Sequence, residues 1–123
     1  MKNNSQNLGK LGEEIAKTHL EAKGYIILET NWRFKKYEID IIAQKVNTLA
    51  VVEVKARNGN AFGEPEDFVN KQKQGFLISA AHHYLLQKNL DVECRFDIIS
   101  ILIINNSKTV KHIEGAFYPS LKK

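Results

Sequence analysis

Two short runs decide how this chain folds: Tyr37-Glu38-Ile39-Asp40-Ile41-Ile42 and Leu49-Ala50-Val51-Val52-Glu53-Val54-Lys55. Both are apolar and β-branched, with charge set into them at alternate positions. Successive side chains of a strand point to opposite faces, so Glu38 and Asp40 share one face of the first run. By the same count Val51, Glu53, Lys55 and Arg57 share a face of the second. Runs so rich in Val and Ile belong inside a sheet, where a carboxylate is costly unless it is paired or bound to a metal. Two adjacent strands, each aiming a carboxylate at one edge, with a lysine two residues past one of them, predict a divalent-metal site.

Outward from these runs the pattern predicts a three-stranded antiparallel meander over residues 25–34, 37–44 and 49–57. Its turns are Lys35-Lys36 and Val46-Asn47-Thr48. An amphipathic helix over residues 8–23 precedes the meander and stops at Gly24. After it, Asn58-Gly59-Asn60 and Gly63 break the pattern. Pro65 suits the first turn of a second helix running to Lys88, with Glu64, Glu66 and Asp67 at its positive end. A long strand over 92–104, a turn at Asn105-Asn106-Ser107 and a return strand over 109–113 complete the order. The tail from Gly115, with Pro119, is expected to fray. The order α-β-β-β-α-β-β describes an α/β (α+β) sheet flanked by helices. It is expected to form one domain over residues 1–123, with an ordered core at about 8–118 and no repeat or linker.

With 123 residues the chain has enough material for one core and too little for two. An apolar share of 43% against 26% charged excludes a disordered or fibrous protein. The single Cys94 rules out an internal disulfide and has no zinc-ligand spacing around it. The start lacks the apolar stretch of a signal peptide, and no window approaches a membrane span, so a cytoplasmic protein with no membrane contact is expected. A net charge of +4 is weak evidence for a nucleic-acid partner and gains weight only if the lysines converge on the carboxylates.

The helices supply candidates of their own. Glu13, Ala16 and Leu20 are spaced i, i+3, i+7 and share a face, while Glu14, Lys17 and Glu21 form a charged one. Glu13 thus rides with the apolar stripe. A carboxylate near a helix start is favoured by the dipole alone, but the inward face points to function. In the second helix Val69, Lys73, Phe76, Leu77, Ala80 and Tyr84 fit one stripe. Lys73 within it is equally well read as snorkelling or as reaching the carboxylates or a phosphate.

Asp40, Glu53 and Lys55 carry the central expectation. Mg²⁺ or Mn²⁺ takes oxygen ligands and keeps several waters, so Asp40 and Glu53 are the predicted ligands, with a carbonyl near Val54 as a third. Lys55 would hold the attacking water or the developing charge on a scissile phosphate. The bland alternative, an exposed Glu-x-Lys ladder on an edge strand, fits poorly with Val51, Val52 and Val54 around it. Elsewhere the bland readings prevail. Trp32-Arg33-Phe34-Lys35-Lys36-Tyr37 interleaves aromatics with cations as nucleic-acid surfaces do, but equally suits a strand end and turn. His82 and His83 stand about 100° apart on a helix and cannot easily chelate together. His19 and His112 have no partner in sequence. Arg95 and Asp97 read as a buried pair ahead of a further ligand.

Taken in order, these pieces resemble the YraN family, predicted nucleases similar to archaeal Holliday junction resolvases within the PD-(D/E)xK superfamily. The likeness spans about residues 9–118. It rests on Gly9-Lys10-Leu11-Gly12-Glu13, Asn31-Trp32-Arg33, Glu38-Ile39-Asp40-Ile41-Ile42-Ala43, Val52-Glu53-Val54-Lys55-Ala56-Arg57, Phe62-Gly63, Lys73-Gln74, Arg95-Phe96-Asp97 and Ile113-Glu114-Gly115-Ala116-Phe117. Tyr37 departs from it, standing where the family often has Gly. The resemblance implies a restriction-endonuclease-like fold with a central mixed sheet. It gives Asp40, Glu53 and Lys55 metal and catalytic roles, with Glu13 as the helix carboxylate; Glu38, on the strand face of Asp40, is an additional candidate from alternation alone.

The function expected is a metal-dependent endonuclease acting on DNA, branched DNA included, with a homodimer as one allowed assembly. Lys73, Arg57, Lys35, Lys36 and Arg33 are the expected phosphate contacts. The alternatives are a nucleic-acid-binding module without turnover and a metal-free interaction protein.

Overall fold

Both helix ends are set by backbone bonds that force the chain to turn back. In the first, Gly24 N–H donates to the Glu21 carbonyl and Tyr25 N–H to that of Leu20, each at 3.0 Å. The second closes in the same way, with Asn89 in the left-handed region and Leu90 N–H donating to Leu85. The computed structural model describes residues 4–58 and 69–119, with side chains from residue 8. Over these residues the elements are α1 (Asn4–Ala22), β1 (Ile26–Phe34), β2 (Tyr37–Lys45), β3 (Thr48–Asn58), α2 (Lys71–Lys88), β4 (Glu93–Ile104) and β5 (Ser107–Phe117). The predicted order is the observed one.

The strands form one five-stranded sheet in the order β1-β2-β3-β4-β5. Every neighbouring pair is antiparallel except β3–β4, the pair that α2 connects. A helical crossover returns the chain to the same end of the sheet and so imposes the parallel pair. The two helices cover opposite faces. Ala16 and Leu20 of α1 pack against Ile41, Val52 and Ile99, while Leu77, Ala80 and Tyr84 of α2 pack against Val51, Phe96 and Ile98. Because β2, β3 and β4 are covered on both sides, they read as nearly unbroken apolar runs.

Two expected boundaries are corrected. The second helix does not run unbroken from Pro65: Asn70 is extended (φ −67°, ψ 162°) and its side chain accepts from Lys73 N–H at 2.8 Å, the geometry of an N-cap. A continuous apolar stripe therefore hid a cap, and Val69 is buried from outside the helix. Pro65, Glu64, Glu66, Asp67, Gly59, Asn60 and Gly63 lie outside the described residues. At the other end, β5 continues to Phe117, past the predicted stop at Ile113. Phe117 is paired with Phe96 and stacked on it, ring centroids 5.1 Å apart, and that burial holds the stretch that was expected to fray.

Candidate functional site

The ladder between β2 and β3 runs from Lys45–Thr48 to Ile41–Val52. One residue further on, the Asp40 carboxylate takes the place of a backbone acceptor: Val54 N–H donates to its Oδ2 at 2.8 Å. Side-chain alternation is also interrupted here. Ile39 and Ile42 join the α2 side of the core, whereas Ile41 and Ala43 join the α1 side. Asp40 thus sits at an irregular point where the two strands stop pairing, and the simple two-residue period does not describe its surroundings. The second strand keeps its period. Val51 faces α2 while Ala50, Val52, Val54 and Ala56 face α1, which puts Glu53 on the α2 side.

Glu53 is only 8% exposed, and Lys73 Nζ from the first turns of α2 donates to its Oε2 at 2.7 Å. Lys73 therefore reaches the carboxylates, one of its two predicted roles. Burial pushes the Asp40 carboxyl up to about 7, and the negative charge of Glu53 adds to the effect. The Val54 N–H opposes the rise, Glu13 contributes to it, and Lys73 partly offsets it. Glu53 of β3 and Glu13 of α1 are thus each within electrostatic reach of Asp40.

Glu13 arrives from the opposite helix. It lies deep inside α1, which begins at Asn4, so helix-start stabilisation does not account for it. Asn31 Nδ2 donates to its Oε2 at 3.0 Å. Close approach of α1 to the end of β3 requires glycine at position 12, where an added Cβ would stand 2.7 Å from that of Ala56. As predicted, Glu14 faces solvent, next to Lys17 at 3.4 Å.

The remaining predicted residues are spread more widely. A cavity of about 410 Å³ opens between the start of β2 and the first turns of α2, and Glu38, Asp40 and Lys73 help to line it. Glu53 adjoins this cavity through its bond to Lys73, while Glu13, on the α1 side, is held by Asn31 and acts on Asp40 through its charge. Lys55 is half-buried and makes no hydrogen bond or ion pair among the described residues. Lys35 and Lys36 are exposed at the β1–β2 turn, Arg33 pairs loosely with Glu38 at 3.8 Å, and Arg57 is half-buried towards the end of β3. Among the described residues no three His, Cys, Asp or Glu side chains stand close enough to hold a metal ion by themselves.

A second charged cluster lies across β4 and β5; its Arg95–Asp97 pair is the one expected from the sequence, whereas the histidines and Gly115 that join it were not foreseen. Asp97 is 1% exposed and accepts four hydrogen bonds, from Arg95 Nε and a terminal Arg95 nitrogen at 2.8 Å each, His112 Nε2 at 2.9 Å and Gly115 N–H at 3.0 Å. Burial alone would raise its pKa, but the bonds from His112, Arg95 and Gly115 together outweigh burial and leave it below the ordinary value. Gly115 reaches Asp97 because β5 bulges: Phe96 pairs with Phe117 but Ile98 with Ile113. Its φ of +62° makes glycine the fitting residue there. Arg95 also bonds the Tyr25 hydroxyl, and Lys23 donates to His112 Nδ1 at 3.0 Å. His19 Nε2 comes within 3.3 Å of that same nitrogen, and burial, then His112 and Lys23, lower the His19 pKa. Two histidines without sequence partners are therefore partners of each other. The Cys94 thiol, pushed up to about 11 by burial and by Asp97, is a poor nucleophile.

Residues 12–101 match the profile described as Uncharacterised protein family UPF0102. The chain is similar to a UPF0102 protein of Flavobacterium psychrophilum, 49% identical over 112 residues, which cover 91% of this chain and 94% of the relative. It is similar also to one of Alkaliphilus metalliredigens, 46% identical over 92% of this chain and 99% of the relative. A third, from Bacteroides thetaiotaomicron, is 43% identical over 93% of this chain and 94% of the relative. No described helix is long and apolar enough to cross a membrane.

Proposed function

The chain belongs to the UPF0102 (YraN) family, and from that premise we propose that it is a metal-dependent endonuclease that hydrolyses phosphodiester bonds in DNA, branched DNA included. The observation that carries this reading is the electrostatic state of Asp40. A largely buried carboxyl is raised to about 7 by burial and by the charges of Glu53 and Glu13, with Lys73 the one opposing cation. Such a cluster gains from a hard cation, and a carboxyl perturbed by burial and a charged neighbour beside a cavity is a mark of functional sites.

The donor set fits Mg²⁺ or Mn²⁺. Asp40 keeps Oδ1 beyond its bond to Val54, and Glu53 keeps Oε1 beyond its bond to Lys73. Two carboxylates suffice for Mg²⁺, which binds through one or two of them and retains water and substrate phosphate. When bound, the ion supplies a nucleophile at neutral pH and offsets charge on the phosphate. The protein's own groups do the rest. Val54 N–H fixes the rotamer of Asp40, and Lys73 fixes that of Glu53. Lys55, on the same strand face as Glu53, positions a water or meets the charge that develops on the phosphate. Lys35, Lys36, Lys73, Arg33 and Arg57 hold backbone phosphates, a mode of contact that positions without reading sequence. The resemblance to PD-(D/E)xK nucleases supports the same roles.

A second reading, a nucleic-acid-binding module without turnover, is favoured by one interaction. The 2.7 Å Lys73–Glu53 pair already satisfies one of the two carboxylates from within the protein. Plasmid nicking in Mn²⁺ separates the two readings. Nicking by the wild type and its loss in both Asp40→Asn and Glu53→Gln is the expected result; nicking at wild-type rate in either variant removes that residue from the chemistry.

A further inference from the structure

The cavity beside Asp40 has a composition that metal-dependent hydrolysis does not explain. One wall is aromatic: Tyr37 at the start of β2 and Phe76 of α2 stack with ring centroids 3.9 Å apart and planes 19° from parallel. Both rings are half-buried, so part of this stacked pair faces the opening. The Tyr37 hydroxyl has no partner among the described residues. Polar groups complete the lining, among them Asn70 and Gln72 at the head of α2. Asn70 uses its oxygen to cap the helix, which leaves its amide nitrogen as a donor. Lys36 and Lys73 add positive charge, while Glu38 and Asp40 face them. On β1, Phe34, cross-strand neighbour of Tyr37, lies outside this lining, stacks on Trp32 and carries Lys35 Nζ 5.4 Å from its ring centre.

Tyr37 and Phe76 cover one face of each other and leave the remaining ring face and edges to the cavity; with amide and hydroxyl groups and Lys36 in the same lining, they suit a planar, hydrogen-bonding ring that carries a phosphate. The volume, about 410 Å³, lies in the range of small-ligand pockets. A base inside a duplex cannot reach such a cavity, because its faces are covered by its neighbours; a base without a pairing partner can. We infer that this cavity receives an unpaired nucleobase of the substrate strand, and that the protein therefore selects nucleic acid at single-stranded segments, flaps or junctions over continuous duplex. The inference rests on the nuclease reading for its ligand class and deepens it, because Asp40 belongs to both the cavity and the carboxylate cluster. Tyr37, which stands where the sequence resemblance leads one to expect glycine, is the residue that makes the wall. It sets specificity and is not a catalytic residue.

The test measures binding without turnover. Full-length protein in EDTA is titrated into a flap oligonucleotide carrying 2-aminopurine at its first unpaired position, and into a blunt duplex of matched length. Wild-type protein is expected to bind the flap about tenfold more tightly and to change the fluorescence of the unpaired base as it stacks. Tyr37→Leu, which keeps apolar volume but removes the π face, is expected to lose most of that preference, and Tyr37→Phe to retain it. A tenfold change lies within the range for one base–aromatic stack. Equal affinity for flap and duplex, or an unaltered 2-aminopurine signal, would overturn the cavity assignment on wild-type protein alone, whether or not Tyr37→Leu folds. A folded Tyr37→Leu with undiminished preference overturns it too. Nicking in Mn²⁺ is read separately. Nicking without flap preference leaves the nuclease reading standing and ends the base pocket. Flap preference without nicking does the reverse.

Discussion

Asp97 is fully buried and Asp40 partly so, on strands of the same sheet, and their surroundings push them in opposite directions. Asp97 accepts four hydrogen bonds, from a guanidinium, an imidazole and a backbone N–H, and its pKa is held down. Asp40 accepts one backbone bond, shares its neighbourhood with Glu53 and Glu13, and is raised to about 7. Burial penalises both carboxylates; what differs is compensation. The first cluster ties β4 and β5 to α1. The second leaves negative charge poorly matched at the point where β2 and β3 part, a state that folding alone gives no reason to keep. Satisfied charge is read as structure, and unsatisfied charge as a site.

The contrast is broken most severely at Asp97. Asp97→Asn takes the buried carboxylate away from Arg95 and His112; because Arg95 is partly exposed and retains Glu114 and Tyr25, a cost of about 3 kcal/mol, the low end for a broken buried pair, is expected. Urea unfolding should show this as a lowered midpoint with an unchanged slope. A midpoint equal to wild type would refute the structural role.

Asp40→Asn should act with the opposite sign. A carboxyl whose folded pKa lies above its unfolded value gives most stability below the unfolded pKa. That contribution declines as pH rises from about 4 to about 7, because the native state there binds the extra proton. The full difference amounts to about 4 kcal/mol at most, at one pKa unit per 1.36 kcal/mol. Asp97 runs the other way: its support is present above its unfolded pKa and is lost as pH falls through its depressed folded value. In the absence of metal, Asp40→Asn should therefore match or exceed wild-type stability at pH 8 and lose its advantage near pH 4. It should also lose the Mn²⁺-induced rise in melting temperature. Thermal melts across pH with and without Mn²⁺ check both statements, and an undiminished Mn²⁺ shift in the variant counts against Asp40 as a ligand.

Lys73→Ala sharpens the comparison by removing the one cation that opposes the rise at Asp40. A charge-assisted bond to a buried carboxylate disappears, but the lysine is about half exposed, so a cost of about 1–2 kcal/mol is expected. The Asp40 carboxyl should move further up, visible as a carboxyl carbon titrating later by NMR. A titration midpoint that stays put or falls would show that Lys73 is not coupled to Asp40.

Lys55→Ala should barely alter stability, by less than about 0.5 kcal/mol, because Lys55 has no partner among the described residues. Nicking should nevertheless disappear while the Mn²⁺-induced melting shift remains. Wild-type nicking in this variant would take Lys55 out of the mechanism.

The smallest effects are expected on the basic rim. Lys35→Ala with Lys36→Ala should lower the slope of log affinity against log salt by about 0.9 for each phosphate that the protein no longer neutralises. A slope that survives that pair together with Lys73→Ala would leave these lysines as a solvated face.

Much of this was legible in the chain alone. The element order followed from periodicity, because period 2 and period 3.6 are set locally, and Gly24 and Asn105-Asn106 mark turns by backbone preference. Asp40, Glu53 and Glu13 stood out because charge is rare in such apolar surroundings. What the sequence could not give was the state of each charge. A strand pattern does not say that Val54 N–H is left for Asp40, that Lys73 closes on Glu53, or that the alternation of β2 slips at Asp40. Nor did it pair His19 with His112 across 93 positions, or bring Gly115 of a bulge onto Asp97. Propensity and periodicity act over a few residues and are written in the chain. Burial and partner geometry exist only once distant strands and helices have packed, and they alone decide which of two aspartates is held as an anion and which is pushed towards its neutral form.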